Sequence, residues 1–165
     1  VIASWDTLPA PPPRVAVHDL LVDPMVVVLP DDHPLAGRHP VGTPVGLHEL
    51  RAESWVTTMA GHPAREQFDR AVSEAGFTPR IRFRTASYAV AQALVGTGIG
   101  VALVSRPALT DVPGTTHREL AHPRLRRRLH AVTPTETSVT PLVDVFLDLL
   151  RDVAGHITET WADEH

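Results

Sequence analysis

Cysteine and lysine are both absent from these 165 residues. Without a thiol there is no disulfide scaffold, no thiolate zinc site and no cysteine nucleophile. Without an ε-amine there is no Schiff-base chemistry and no P-loop lysine. All fifteen basic residues are therefore arginine. No apolar run approaches the roughly 18 residues needed to cross a bilayer. Charge of one sign is also scarce: a formal net charge of -4 argues against this chain gripping nucleic acid by itself. No basic n-region followed by an apolar h-region marks an export signal. The chain opens instead on Val1-Ile2-Ala3, an apolar run read as strand, as expected for a piece whose N-terminal part lies elsewhere. What is present is 43% apolar residues, enough for one globular domain or two small lobes and too many for disorder.

Four prolines between Pro9 and Pro13 predict an extended connector, read as a hinge or lobe crossing. Arg14–Val22 and Met25–Leu29 read as two strands split by the turn residues Asp23-Pro24, the second covered on both faces. The stretch from Pro30 through Gly37 to Pro44 reads as a turn-rich loop, followed by a helical turn near Leu47–Leu50 and a strand at Ser54–Thr58. Pro63 at N1 opens a helix whose stripe is Ala64, Phe68, Ala71, Val72 and Ala75, with Gly76 as its left-handed stop. Ile81–Thr85 alternates as a half-exposed strand. Ser87 caps a helix from Tyr88 to Val95 that is apolar on nearly every side and so expected in a core. Gly96-Thr97-Gly98 turns into a buried strand, Ile99–Val104. Two further strands, Thr116–Leu120 and Arg127–Thr133, precede a helix with Thr140 as N-cap. Its expected apolar stripe is Leu142, Phe146, Leu149, Leu150, Val153 and Ile157, and its end is expected to fray from Thr158. Alternating strands and helices make the class α/β.

Ten histidines raise a metal site, but His33, His39, His62 and His122 precede proline, which pushes them into extended backbone and off any one helix face. No metal and no cofactor is expected. Gly96-Thr97-Gly98-Ile99-Gly100 superficially matches a phosphate loop, yet its glycines leave a helix and enter a strand, the wrong polarity for phosphate binding. No G-x-S-x-G elbow and no spaced Ser, His and Asp suggest catalysis. The polar strand ends stand out instead: Thr57-Thr58 after one strand, and Thr85-Ala86-Ser87 between the next strand and a helix start. Ligands of open α/β sheets collect at such carboxyl ends.

Taken in order, several segments resemble the effector-binding domain of LysR-type transcriptional regulators. They are Asp23-Pro24-Met25-Val26-Val27-Val28-Leu29-Pro30 with His33-Pro34-Leu35-Ala36, then Trp55-Val56, Arg65 and Phe68, Ala75-Gly76-Phe77 with Pro79, Val95-Gly96-Thr97-Gly98-Ile99-Gly100-Val101-Ala102-Leu103-Val104, and the helix from Pro141-Leu142 to Leu150. The resemblance implies a two-lobed, periplasmic-binding-protein-like (type 2) sensor fold, with one lobe complete and one partial in this chain. It further implies a small-molecule effector between the lobes, an upstream winged helix-turn-helix domain that contacts DNA, and homodimers assembling to tetramers. On this reading residues 1–13 end lobe one and form the hinge, 14–110 make the effector-binding lobe two, and 111–165 return to lobe one.

The expected protein is thus a bacterial, cytoplasmic regulator without catalysis and without membrane contact. Arginine in place of lysine, with abundant Ala, Val and Pro, suits a high-GC source. The competing readings are a transporter's solute-binding protein of the same architecture and an enzyme on the same scaffold, which would need a catalytic residue not visible here. The expected effector site comprises Thr57, Thr58 and Met59, then Thr85, Ser87 and Tyr88, then Gly98 and Ile99. Threonine hydroxyls and the helix start after Ser87 favour a polar or carboxylate-bearing ligand. From the same resemblance, the helix from Pro63 to Ala75 and a neighbouring edge strand of lobe two are expected to pair with lobe one of a second protomer, with Arg65, Asp69 and Arg70 as a charged rim.

Overall fold

A computed structural model describes residues 2–4, 13–40, 42–122, 125–135 and 141–163. The proline connector Pro9–Pro12 and the Thr140 cap lie outside the described residues. The chain divides into two units, Val1–Asp23 with Arg126–His165, and Pro24–Leu125. Residues 14–23 and 111–125 thus fall on the other side of the division from the expected boundaries at 14 and 110. Each has a local reason: 14–23 begin a strand laid beside the strand at 126–134, and 115–119 pair with 26–30.

In the first unit, β1 (Ile2–Ser4) runs antiparallel to β7 (Arg126–Pro134), with Ile2 opposite His130 and Ser4 opposite Arg128. The first part of β2 (Val15–Pro30) is the next strand. His130 Nδ1 lies 2.7 Å from Asp19 Oδ1, and Thr135 N–H donates to Arg14 O at 2.9 Å. β2 is one strand of 16 residues, not two split by a turn. Asp23 is fully buried, where Arg127 Nε donates to its carboxylate at 2.5 Å. Pro24 precedes the first pair of the β2–β5 register, so its missing N–H interrupts no bond of that ladder.

The helix α4 (Pro141–Asp163) runs beyond the fraying point expected at Thr158. Its covered face also differs from the expected stripe. Leu147 and Ala154 are buried, whereas Leu142, Val145, Phe146, Leu149 and Val153 are 76, 56, 58, 56 and 57% exposed. The helix is apolar over two adjacent faces, and periodicity alone does not tell which of them is covered.

The second unit is a five-stranded sheet in the order β6 (Thr115–Glu119), β2, β5 (Val101–Ser105), β3 (Ser54–Thr57), β4 (Arg80–Arg84). β6 and β5 are antiparallel to β2, while β5, β3 and β4 run parallel to one another. On one face α3 (Tyr88–Gly96) packs over Val28, Val56, Ala102 and Val104 through Ala91 and Val95. It is not enclosed on all sides as expected: Val90 remains 44% exposed, while Ala91 and Val95 are the side of the helix that meets the sheet. The partner helix α2 (Pro63–Glu74) buries Phe68, Ala71 and Val72, with the Phe68 ring 4.8 Å from Trp55. Gly76 follows it at φ +80°, as the sequence requires for a left-handed stop. Gly100 is needed for a different reason, since a Cβ there would land on the Ser54 carbonyl.

The stretch after β2, expected as loop, contains the short helix α1 (Pro34–Arg38). Its cause is a His-Pro pair used as a cap. His33 Nδ1 accepts from Leu35 N–H at 3.1 Å, with Pro34 in the first turn where no N–H is needed. His62-Pro63 repeats the device at α2, with His62 Nδ1 accepting from Ala64 N–H at 3.2 Å. Beyond α1, a 3₁₀ turn (Leu47–Leu50) is tied back by Glu49. Its Oε1 accepts from Gly46 N–H at 2.9 Å and its Oε2 lies 3.0 Å from His39 Nε2.

The Gly46 amide, and then His39, hold the Glu49 carboxyl below its usual range against the opposing effect of burial. A depressed folded-state pKa stabilises above the unfolded value of about 4.3, and the gain disappears as pH falls through the folded value. Glu49→Gln is therefore expected to lose about 1 kcal/mol at neutral pH and to flatten the acid limb below about pH 5. Urea unfolding at pH 7 and pH 3.5 checks this; parallel pH profiles for the two proteins would refute it.

Candidate functional site

Because β3, β4 and β5 are parallel, their carboxyl ends emerge on one side of the second unit. β3 ends at Thr57 and continues into Thr58 and Met59, while β4 ends at Arg84 and continues into Thr85, Ala86 and Ser87. The two ends are joined: Thr57 pairs with Arg84 in the register, and Thr85 N–H donates to Thr57 O at 2.8 Å. Thr85 Oγ1 accepts from Ser87 N–H at 3.1 Å. Ser87 then caps α3, its Oγ accepting from Val90 N–H at 3.3 Å and its carbonyl from Ala91 N–H at 3.0 Å.

Six of the eight expected site residues are thus brought together. Thr57, Thr58 and Thr85 are half-buried and Met59 is 55% exposed. Ser87 is exposed beside them, and Tyr88 is half-buried against the α3 cluster. The Ala89 amide has no partner among the described residues, and it belongs to the first turn of α3, at the positive end of the helix dipole. Hydroxyl protons, an amide and an exposed thioether make a surface suited to an anionic head with a short apolar body.

Gly98 and Ile99 need correction. They follow α3 and precede β5, whose Val101 lies opposite Trp55. That register puts them at the amino end of the parallel strands, one helix length, about 13 Å, from Ser87. Gly98 is a stop at φ +77°, and Ile99 packs against the α3 core cluster. Being near in sequence to a strand placed them at the wrong end of it.

Three residues at or behind the carboxyl ends escaped sequence reasoning. Ser105 is fully buried at the end of β5, opposite Met25. Arg106 follows it, and its Nη1 donates to Glu119 Oε1 at 2.9 Å. Gln92 is 1% exposed, and its Nε2 donates to Tyr88 O at 3.3 Å and Ala108 O at 3.0 Å. Its Oε1 accepts from Thr110 N–H at 3.1 Å. One amide therefore ties the first turn of α3 to the segment after β5. A lone glutamine inside an otherwise apolar helix, and the Ser-Arg-Pro sequence closing a buried strand, were the available signals.

Beside Gln92 opens a cleft of about 330 Å³ lined by Val28, Leu109, Thr110, Asp111, Thr116 and His117 among others, and by none of the expected site residues. Its Thr115 hydroxyl donates to Val112 O and its Thr116 hydroxyl accepts from Arg118, so these polar atoms serve the fold. Among the described residues no group of three or more His, Asp or Glu side chains is placed to hold a metal, and no helix is long and apolar enough to cross a membrane.

Comparison with known proteins fits this geometry. The family model described as the LysR substrate binding domain matches residues 5–155. The HTH-type transcriptional regulator ShiR of Corynebacterium glutamicum (strain R) is 31% identical over 149 residues, 88% of this chain and 49% of that protein. The regulatory domain of CcmR from Synechocystis PCC6803, solved in complex with 2-PG, superposes with a TM-score of 0.71 at 20% identity over 92% of this chain and 72% of that one. The effector-binding domain of QuiR, solved in complex with shikimate, gives 0.67 at 16% identity, covering 87% and 67%. The chain spans about half the length of the curated relatives it matches. With its α/β architecture of the type 2 periplasmic-binding-protein kind, the chain belongs to the LysR substrate-binding domain family.

Proposed function

We propose that this domain senses a small polar, carboxylate- or phosphate-bearing effector for a cytoplasmic transcriptional regulator, and that it performs no catalysis. The observation that carries this reading is the carboxyl-end surface of the second unit, where Thr57, Thr58, Met59, Thr85, Ser87 and Tyr88 surround the start of α3. An anion there gains from the helix dipole and from hydroxyl donors that bring no counter-charge. Ligands named for the similar folds, 2-PG and shikimate, have this chemistry. DNA contact falls to a helix-turn-helix domain of the kind the relatives' names record. That the relatives are regulators favours this reading over a transporter's binding protein.

Assembly belongs to the same proposal. β4 is the edge of the second unit's sheet, and it joins α2 in facing a second copy. Asp69 and Arg70 supply exposed charge, but Arg65 does not. Its side chain is only 13% exposed, folded along α2 with Nε donating to Asp69 at 2.8 Å.

The site is tested by thermal-shift screening of small carboxylates and phosphorylated acids, 2-PG and shikimate included, followed by calorimetry on any hit. Thr58→Val and Ser87→Ala are each expected to weaken binding by about 1–3 kcal/mol, while Ile99→Val leaves it unchanged. Full affinity in both hydroxyl variants, with folding intact, would move the site elsewhere.

A further inference from the structure

Effector sensing at the carboxyl ends makes no use of the cleft beside Gln92. Its lining comes wholly from the second unit, and it lies toward the other end of the sheet. Its floor is Val28, which stands opposite Ala102 near the amino end of β5, whereas Met25 marks the carboxyl end opposite Ser105. Three residues of extended strand separate the two levels by about 10 Å. One wall is α3 at Gln92, and the other is the segment 109–112 with the start of β6. That second wall is pinned at both ends. Thr110 N–H donates to Gln92 Oε1 at 3.1 Å, and Thr115 N–H to Val112 O at 3.2 Å. Beyond them Gly114 backs onto Gly96, where a Cβ would lie 2.9 Å from Pro113 O, closer than packed chains tolerate. The cleft is therefore preformed, and its volume of about 330 Å³ sits at the small end of ligand pockets.

Its chemistry is split. Gln92, Thr115 and Thr116 spend their polar atoms on the fold. Asp111 does not: it is exposed, and its carboxylate has no hydrogen bond or ion pair among the described residues. It is the single acidic side chain of the lining, and His117 there adds positive charge only when protonated. The Arg118 guanidinium, next along β6, is committed to three carbonyls and the Thr116 hydroxyl, so it does not offset Asp111. The chain's net charge of -4 also favours the approach of a cation. We propose that this cleft is a second ligand site, for a small primary amine. The amine's apolar body lies on Val28, Leu109 and Val112, and its ammonium group meets Asp111 with the Thr110 hydroxyl as a further acceptor. The assignment holds whether or not the carboxyl-end surface binds an anion.

Proton–nitrogen correlation NMR on the labelled 165-residue chain, at about pH 8 and so above the ordinary histidine range, tests the proposal. Butylamine and phenethylamine are the probes, with butanol and phenethyl alcohol as their uncharged counterparts. At least one amine is expected to shift the Gln92 side-chain amide and the Thr110, Asp111 and Val112 amides saturably, at about millimolar concentration. Its alcohol should bind about fivefold more weakly, the scale of one part-exposed ion pair. Asp111→Asn should weaken the amine by the same factor and leave the alcohol unchanged, with thermal melts verifying that the variant is folded. No saturable shift with either amine, an alcohol that binds as tightly as its amine, or full amine affinity in Asp111→Asn would each overturn the proposal. Shifts confined to the Thr58 and Ser87 amides would overturn it too, because they would put the amine on the carboxyl-end surface.

Discussion

Replacing Arg118 with methionine is expected to lower the unfolding free energy by about 3 kcal/mol, although the residue is remote from the carboxyl-end site. Arg118 is 5% exposed. Its Nε donates to His39 O, its Nη2 to Ala36 O at 2.9 Å, and its Nη1 to His117 O and the Thr116 hydroxyl. These acceptors are all neutral. Burial lowers the proton affinity of the guanidinium, yet an arginine stays charged at neutral pH. A buried cation among neutral groups holds its place only when its donors are used, and here the fork clamps the carbonyl end of α1 to β6. Methionine keeps the stem and removes every donor, so the α1 carbonyls lose their cap at the same stroke. Arg118→Lys should recover less than half of the loss, because one nitrogen does not span carbonyls that the planar fork reaches together. Urea unfolding followed by circular dichroism measures both. A loss below 1 kcal/mol in Arg118→Met would show that the cation's desolvation had cancelled its bonds.

How much of this was legible in the sequence depends on whether the signal was local. The stop at Gly76, the Ser87 cap, the Gly96–Gly98 turn and the apolar run Met25–Leu29 each carry their own conformational cause, and the structure places them as read. Asp23-Pro24 was misread because a turn pair and a buried ion pair beside a proline look identical in sequence. Only Arg127, over a hundred residues away, distinguishes them. The His-Pro helix at Pro34 was missed for a related reason: imidazole is not among the usual capping groups, although Nδ1 accepts as a carboxylate would.

The site divided along the same line. Hydroxyl residues closing β3 and following β4, Thr57 and Thr85, were legible because a polar residue at the end of an apolar strand is a local pattern. Gly98 and Ile99 were misplaced because the direction in which the chain enters β5 becomes clear only once β3 and β5 are known to be parallel. The α4 stripe shows the limit of periodicity: it reports that a face is apolar and not what covers it.

Gln92→Leu is expected to cost about 3 kcal/mol in stability and also to weaken effector binding. The swap is nearly isosteric, so packing changes little and the hydrogen bonds dominate. It strands Ala108 O and the Thr110 amide, both held by the Gln92 side chain, and removes a donor from Tyr88 O. Each stranded buried group costs about 1–3 kcal/mol. The functional effect follows from position, since Gln92 joins the first turn of α3, where the anion is proposed to bind, to the segment after β5. Releasing that tie lets the two sides of the carboxyl-end surface move independently, so ordering them falls on the ligand. Gln92→Glu discriminates between bonding and shape. It retains the acceptor for Thr110 but turns a carboxylate oxygen toward the two carbonyls that the amide nitrogen served, and it should destabilise at least as much as leucine. Thermal melts of the two variants, with calorimetry using the ligand found by screening, separate the effects. Destabilisation with unchanged affinity would confine Gln92 to the fold, and a glutamate variant more stable than the leucine variant would refute the bonding argument.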